Sequence, residues 1–106
     1  MSNYGAGDSF SVAKELIATL KDRGFRLIEL AEFPGIKEQA EAVVGDFLSE
    51  KFSGAEESKI DDAAVDLCQK LAVYEEVMIE NQEIEFEEYE ERRIEFVAHE
   101  IRYRFE

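Results

Sequence analysis

The chain has 106 residues, which is enough for one domain with a modest hydrophobic core, and 45% of them are hydrophobic, too many for a disordered acidic tail. Its net charge of −14 argues against nucleic acid or an anionic membrane as a direct ligand, because both require Lys and Arg to neutralise phosphates. The charge favours a basic protein surface as a partner. The single cysteine, Cys68, excludes an internal disulfide, and the polar N-terminus lacks the apolar run of a signal peptide, so we expect a cytoplasmic protein.

The N-terminal part of the chain predicts a tail followed by a helix. Residues 1–8 are rich in Gly and polar residues and predict a flexible tail, which leaves 9–106 as a single acidic helical domain. A first helix is expected over 9–23, because apolar residues recur there at helical spacing. Gly24 follows it at a position where helices commonly end in a left-handed residue.

A proline separates the next two predicted elements. Residues 25–33 fit either a strand or a short helix, and we favour the short helix. Pro34 ends this segment, because the residue before a proline is pushed out of the α region, and it suits the first turn of a second helix over 35–52. Gly45 lies inside that helix at a cost of ~1 kcal/mol relative to Ala. It is either simply tolerated or marks a close crossing with another helix.

The third predicted helix, over 58–80, has the most regular apolar stripe in the chain. Its members are separated alternately by four and three residues: Ile60, Ala64, Leu67, Leu71, Tyr74 and Met78. This spacing is typical of a coiled-coil seam, but the next two seam positions are Asn81 and Glu85. We therefore expect the stripe to face a helical bundle.

A fourth helix is expected over 83–104, with strands at its two ends, where Ile84/Phe86 and Ile101/Tyr103/Phe105 alternate with charges, as the alternative. The apolar residues of this helix cover more of its circumference than one buried face needs. One stripe contains Ile94, Val97, Ala98, Ile101 and Phe105, and a neighbouring stripe contains Phe86, Tyr89, Phe96 and Tyr103. Because a surface helix needs a stripe of only ~100°, we expect the second stripe to form a homodimer interface, with a central place in a monomeric bundle as the alternative. The four helices together predict an all-α fold, a small helical bundle.

The most unusual stretch is the acidic segment, residues 75–91, which holds nine acidic residues and no Lys or Arg. If it is one helix, Glu76, Glu80, Glu83, Glu87 and Glu90 form a single line of carboxylates. A DNA backbone also presents closely spaced negative charges, so such a line can imitate it. We predict a partner-binding surface, with a solvated face that only confers solubility as the alternative. Its candidate residues are Glu76, Glu80, Glu83, Glu87, Glu88, Glu90 and Glu91.

The sequence offers little support for catalysis or for a cofactor. Cys68 lies beside the stripe residue Leu67 and is interpreted as a small buried side chain. His99, the one histidine, follows Glu95 by four residues, which favours a solvated pair over a metal ligand. The sequence contains no Gly-rich phosphate loop, dinucleotide-binding fingerprint or EF-hand loop. We therefore expect a non-enzymatic protein without a metal or a cofactor.

In charge, size and helicity the chain resembles the small acidic proteins with which phages imitate DNA and block DNA-binding enzymes, among them anti-restriction and anti-CRISPR proteins. No motif is shared, so no residue role is carried over. The resemblance implies an inhibitor that occupies the basic nucleic-acid-binding groove of a partner enzyme. The alternative is a structural or assembly subunit of a helical homo-oligomer whose charge only keeps it soluble.

Overall fold

A computed structural model describes residues 9–30, 33–80 and 85–105, with Phe86 described by its backbone alone. It contains α1 (Ser9–Asp22), a 3₁₀-helix (Leu27–Glu29), α2 (Pro34–Lys51), α3 (Glu57–Glu80) and α4 (Phe86–Phe105). Of the described residues 87% are helical and none lies in a strand, so the predicted all-α helical bundle is confirmed. The tail predicted over residues 1–8 lies outside the described residues.

The end of α1 is built around a glycine, as the sequence predicts. Gly24 has φ +87°, and its N–H donates to the carbonyl of Lys21 at 2.9 Å. The N–H of Phe25 reaches back to the carbonyl of Leu20 at 3.1 Å. These two bonds form a Schellman motif, which requires the left-handed conformation that glycine adopts without steric cost. The turn directs the chain toward the 3₁₀-helix, where the buried Leu27 packs against the core.

The ambiguous segment 25–33 contains the short helix that we favoured, although it is only the single 3₁₀ turn Leu27–Glu29. Pro34 begins α2, and Phe33 before it is extended, with φ −114° and ψ 122°. α3 begins at Glu57, one residue before its predicted start. The helix boundaries predicted from glycine and proline are therefore observed in the fold.

The helices pack in two principal pairs around one continuous core. α2 packs on α3, while α1 packs on α4, the last helix in the chain. The fully buried side chains of the core include Leu16, Leu20, Val44, Leu48, Leu67, Leu71, Val97 and Ile101. At the C-terminal end of α4, the ring of Phe105 stacks on that of Phe52, with centroids 4.3 Å apart and planes 6° from parallel. The two helix pairs are thereby joined at one end of the bundle.

Gly45 lies where α2 crosses α3. A Cβ atom built on it would stand 4.0 Å from the Cβ of Ala64, which is an ordinary van der Waals contact. The crossing is therefore close, but it leaves room for a methyl group. Of the two explanations that the sequence left open, simple tolerance fits better, because an alanine methyl group has room at this position and glycine is not sterically required.

Candidate functional site

The acidic segment does not form one continuous helix. α3 ends at Glu80 and α4 begins at Phe86, with Glu85 in neither helix. A line of carboxylates at steps of four and three residues requires an uninterrupted helix. The single line was expected only if 75–91 formed one helix, and that condition is not met; the break agrees with the predicted helices 58–80 and 83–104, and Glu83 lies outside the described residues.

The described candidate residues of the acidic segment instead form two groups on two helices. We call them together the acidic surface: Glu76 and Glu80 on α3, and Glu87, Glu88, Glu90 and Glu91 on α4. All are exposed except Glu90, which is half-buried. Glu88 accepts a hydrogen bond from Arg92 at 2.6 Å. Within the described ranges, no ion pair neutralises the other five carboxylates.

The two groups flank a buried polar contact, the Glu75 cluster, which consists of Glu75, Tyr89 and Arg93. An Arg93 guanidinium N–H donates to one carboxylate oxygen of Glu75 at 3.0 Å, and the hydroxyl of Tyr89 donates to the other. Arg93 also donates to the oxygen of Tyr89 at 3.3 Å. Glu75 and Arg93 retain only 8% and 3% of their exposure. The cluster thus joins the C-terminal part of α3 to the start of α4, the two segments that carry the acidic groups.

The electrostatics of Glu75 differ from those of its acidic neighbours. Burial raises the pKa of Glu75, because a desolvated carboxylate is costly, and the smaller influence of Arg93 lowers it. The sequence analysis counted Glu75 only as part of the acidic segment. A usable signal was present, because Glu75 follows Leu71 by four residues and Cys68 by seven, which places it on the buried face of α3.

A second set of ion pairs joins α3 to α4 further along the two helices. Lys70 pairs with Asp66 at 3.1 Å and also with Glu100, which is buried. Arg104 pairs with the same Asp66. Ion pairs therefore join α3 to α4 at two places along their length.

The helix ends explain the position of some acidic residues but not of others. Glu87 and Glu88 lie in the first turn of α4, where the positive end of the helix dipole favours carboxylates. Glu80 lies in the last turn of α3, which contains no basic residue. A carboxylate at that end of a helix is unfavourable, so stability of α3 does not account for Glu80.

The four residues proposed as an oligomer interface have different surroundings. The side chain of Phe86 lies outside the described residues. Tyr89 is half-buried in the Glu75 cluster, and Phe96 is half-buried with its ring stacked on Tyr74 at a centroid distance of 4.9 Å. Tyr103 is 81% exposed. The dimer interface stays a prediction, and among the described members Tyr103 is the one that projects most into solvent.

An apolar groove between α3 and α4 is a further candidate site, which the sequence analysis missed. Its volume is about 550 Å³, and its apolar lining consists of Val73, Tyr74, Val77 and Phe96. Val73 and Val77 are 54% and 55% exposed. Both lie outside the regular stripe of α3, four residues apart, and that spacing was the available signal for a second apolar face. We refer to it as the α3–α4 groove.

Cys68 has the buried environment that its position beside Leu67 predicts, whereas the predicted pairing of His99 with Glu95 is not formed in the described part of the chain. Cys68 is buried, and burial raises the pKa of its thiol to about 12. His99 is exposed. Among the described residues, no group of three or more His, Cys, Asp or Glu side chains is arranged to hold a metal ion. None of the helices in the same ranges is long and apolar enough to cross a membrane.

The fold and the surface define a small all-α bundle with an acidic surface at the junction of its last two helices and an apolar groove beside it. No protein-family model matches the chain, and neither curated proteins nor solved structures include a significant match. Its function is therefore argued from its own side chains.

Proposed function

We propose that this protein is a non-enzymatic inhibitor whose acidic surface occupies the basic nucleic-acid-binding groove of a partner enzyme. The observation that carries the proposal is the concentration of six carboxylates, all exposed except the half-buried Glu90, at the adjoining ends of α3 and α4. Five of the six have no ion-pair partner in the described part of the chain. They remain available to the Lys and Arg side chains of another protein.

The carboxylates present several negative charges a few ångströms apart, as a DNA duplex also does. A DNA duplex carries about one negative charge for every 1.7 Å of its axis, and the groove of an enzyme that binds DNA presents matching cations. Carboxylates three or four residues apart on a helix, such as Glu76 and Glu80 or Glu87 and Glu91, are separated by roughly 5–6 Å. These two pairs present four carboxylates on the two helix segments that the Glu75 cluster joins.

The unfavourable position of Glu80 adds support. An acidic residue at the C-terminal end of a helix costs about 0.3–1 kcal/mol, and the like-charged Glu76 one turn away adds a few tenths. A solvated surface that only confers solubility gains nothing from placing charge at that position. A surface that binds a cationic partner gains a favourable charge–charge contact from it.

The proposal is tested by reversing charge on the acidic surface and, in a matched control, elsewhere. The test variant carries Lys at Glu76, Glu80, Glu87 and Glu91. The control carries Lys at the exposed positions Glu38, Asp46, Glu50 and Asp62. Each variant changes the net charge from −14 to −6, because each of four reversals adds two charges. Glu88 is left unchanged because it pairs with Arg92.

The assay measures displacement of a fluorescent DNA duplex from a panel of purified restriction endonucleases and RNA-guided nucleases. The wild type should displace the duplex from at least one enzyme, and displacement should weaken steeply as salt rises. The control should retain this activity, whereas the test variant should lose it, because like charges facing each other at an interface cost several kcal/mol. Equal activity of the two variants, or no displacement from any enzyme, contradicts the proposal.

A second candidate function, an assembly subunit of a homo-oligomer, is favoured by the apolar residues that the bundle leaves exposed. Ile79 is 57% exposed and Tyr103 is 81% exposed, in addition to the valines of the α3–α4 groove. Sedimentation at micromolar concentration separates the candidates. A sole species of 12.2 kDa excludes the assembly subunit, and a larger species that Tyr103→Ser dissociates supports it.

A further inference from the structure

The α3–α4 groove has an apolar floor and an acidic rim. Its floor is formed by Val73 and Val77 together with the stacked rings of Tyr74 and Phe96. Glu76 follows Val73 by three residues and Glu80 follows Val77 by three, so each carboxylate lies beside a floor residue on the helix surface. Both carboxylates are exposed.

The basic side chains near the groove are already neutralised. Lys70, which itself lines the groove, pairs with Asp66 and Glu100. Arg92 pairs with Glu88. Arg92 is also close enough to Tyr74 to lower its pKa, although burial, the larger cause, raises it. The uncompensated charge around the groove is therefore negative.

We propose that the α3–α4 groove binds an amphipathic helix of a partner protein, with the apolar face of that helix on the groove floor and its Lys or Arg residues against the acidic rim. A groove bounded by two helices accepts the apolar face of a third, whose own backbone hydrogen bonds are internally satisfied. The lining on α3 runs from Asp66 to Val77, about 17 Å at 1.5 Å per residue, which matches three turns of helix.

The charge of the rim decides between this occupant and others. A second copy of the chain would bring one acidic rim against another, and like charges at an interface are repulsive. A phosphate-bearing ligand or an anionic lipid surface is opposed for the same reason. A cationic helix gains from both the floor and the rim. This inference goes beyond DNA mimicry, since it concerns an apolar floor that mimicry does not use.

The test uses a synthetic helical peptide of about 14 residues, with Leu along one face and Lys elsewhere. It carries one Trp as a fluorescent reporter, because the protein contains no Trp. One control peptide has the same composition scrambled around the helix, and another has Glu in place of Lys. The protein variant is Val73→Ser with Val77→Ser. Its matched control is Val65→Ser with Ile79→Ser, which alters two other exposed apolar residues of α3 that lie outside the groove lining.

The wild type should bind the amphipathic Lys peptide about tenfold more tightly than either control peptide. The groove variant should lose about tenfold in affinity, and the matched control should stay within about twofold of the wild type. Equal binding of the scrambled peptide shows charge attraction alone and overturns the proposal. Equal losses in both protein variants, or a self-association that the groove variant abolishes, also overturn it.

Failure of the proposed inhibitor function can be told apart from failure of this inference. The variant Glu87→Lys with Glu91→Lys changes the acidic surface but leaves the rim residues Glu76 and Glu80 in place. It should retain its affinity for the Lys peptide. Retained peptide binding by a protein that displaces no DNA contradicts the inhibitor function only.

Discussion

The Glu75 cluster offers a sharp test of the energetics of the α3–α4 junction through the substitution Arg93→Met. Methionine keeps a long apolar stem in the space of Arg93, which is 3% exposed, but removes the guanidinium that pairs with Glu75. The carboxylate of Glu75 would then be buried without its cation. Breaking a buried pair from one side is strongly destabilising, typically by about 3–5 kcal/mol.

The loss in free energy of unfolding has an upper limit in this protein, because Glu75 can take up a proton instead of remaining buried as an unpaired charge. The ordinary pKa of a Glu carboxyl is 4.5, so neutralising it at pH 7 costs about 3.4 kcal/mol, at 1.36 kcal/mol for each of 2.5 pH units. At pH 5 the same step costs about 0.7 kcal/mol. Because burial already raises the pKa of Glu75 in the wild type, Arg93→Met should lower the free energy of unfolding by at most about 3 kcal/mol at pH 7 and by less than about 1 kcal/mol at pH 5, each relative to the wild type at that pH.

Urea denaturation followed by far-ultraviolet circular dichroism measures both values. A domain of this length has a free energy of unfolding of about 5–15 kcal/mol, so the variant remains folded enough to measure. The control adds Glu75→Gln to Arg93→Met, which removes both charges, and should recover most of the loss at pH 7. A destabilisation of the same size at pH 7 and pH 5, or no recovery in the double variant, would refute the assignment of the cost to Glu75.

Three further predictions concern helix geometry, helix dipoles and the thiol. Gly45→Ala should raise the free energy of unfolding by about 0.5–1 kcal/mol, since the helix crossing accommodates a methyl group. Gly24→Ala should lower the free energy of unfolding by about 1 kcal/mol, because φ is +87° at that position. Urea denaturation measures both changes. Glu80→Lys should stabilise the protein and Glu87→Lys should destabilise it, each by about 0.3–1 kcal/mol at low salt. The reason is that Glu80 lies at the negative C-terminal end of the α3 dipole, whereas Glu87 lies at the positive N-terminal end of the α4 dipole. The changes in the thermal midpoints give the signs. Cys68, with a pKa of about 12 in a buried site, should not react with a thiol reagent at pH 8 until the protein is unfolded in guanidinium.

Each of these predictions has an outcome that contradicts it. A destabilising Gly45→Ala would mean that α2 and α3 cross more tightly than 4.0 Å between Cβ positions indicates. Shifts of the same sign for Glu80→Lys and Glu87→Lys would show that overall charge, and not the helix dipole, sets the effect. Rapid modification of Cys68 in the native protein would show that the core opens at that position.

The sequence was sufficient for the fold because its boundaries are set locally. Gly24 ends α1 through bonds within five residues, and Pro34 begins α2 through its own backbone geometry. The stripe of α3 is regular enough to predict both its helix and its buried face. Such signals depend on neighbours in the chain and can be read without knowledge of the packing.

The candidate site was harder to predict because it depends on contacts between helices. The partner of Glu75 is Arg93, 18 residues away, and the pairing exists only once α3 and α4 lie side by side. The α3–α4 groove likewise results from how α4 packs, mostly on α1 and less on α3. The division of the acidic segment between two helices, by contrast, agrees with the separate helices predicted over 58–80 and 83–104.

The pairing of α1 with α4 has a consequence for how the protein folds as it is synthesised. The helix Ser9–Asp22 leaves the ribosome first, yet its principal packing partner begins only at Phe86. At about 5–20 residues per second, translation of the intervening chain takes roughly 3–13 s. Throughout that interval the apolar side of α1, which includes Val12 and Leu16, lacks most of its final cover. α2 and α3 are adjacent in the chain and can pair early. The bundle is therefore complete only when α4 packs against α1.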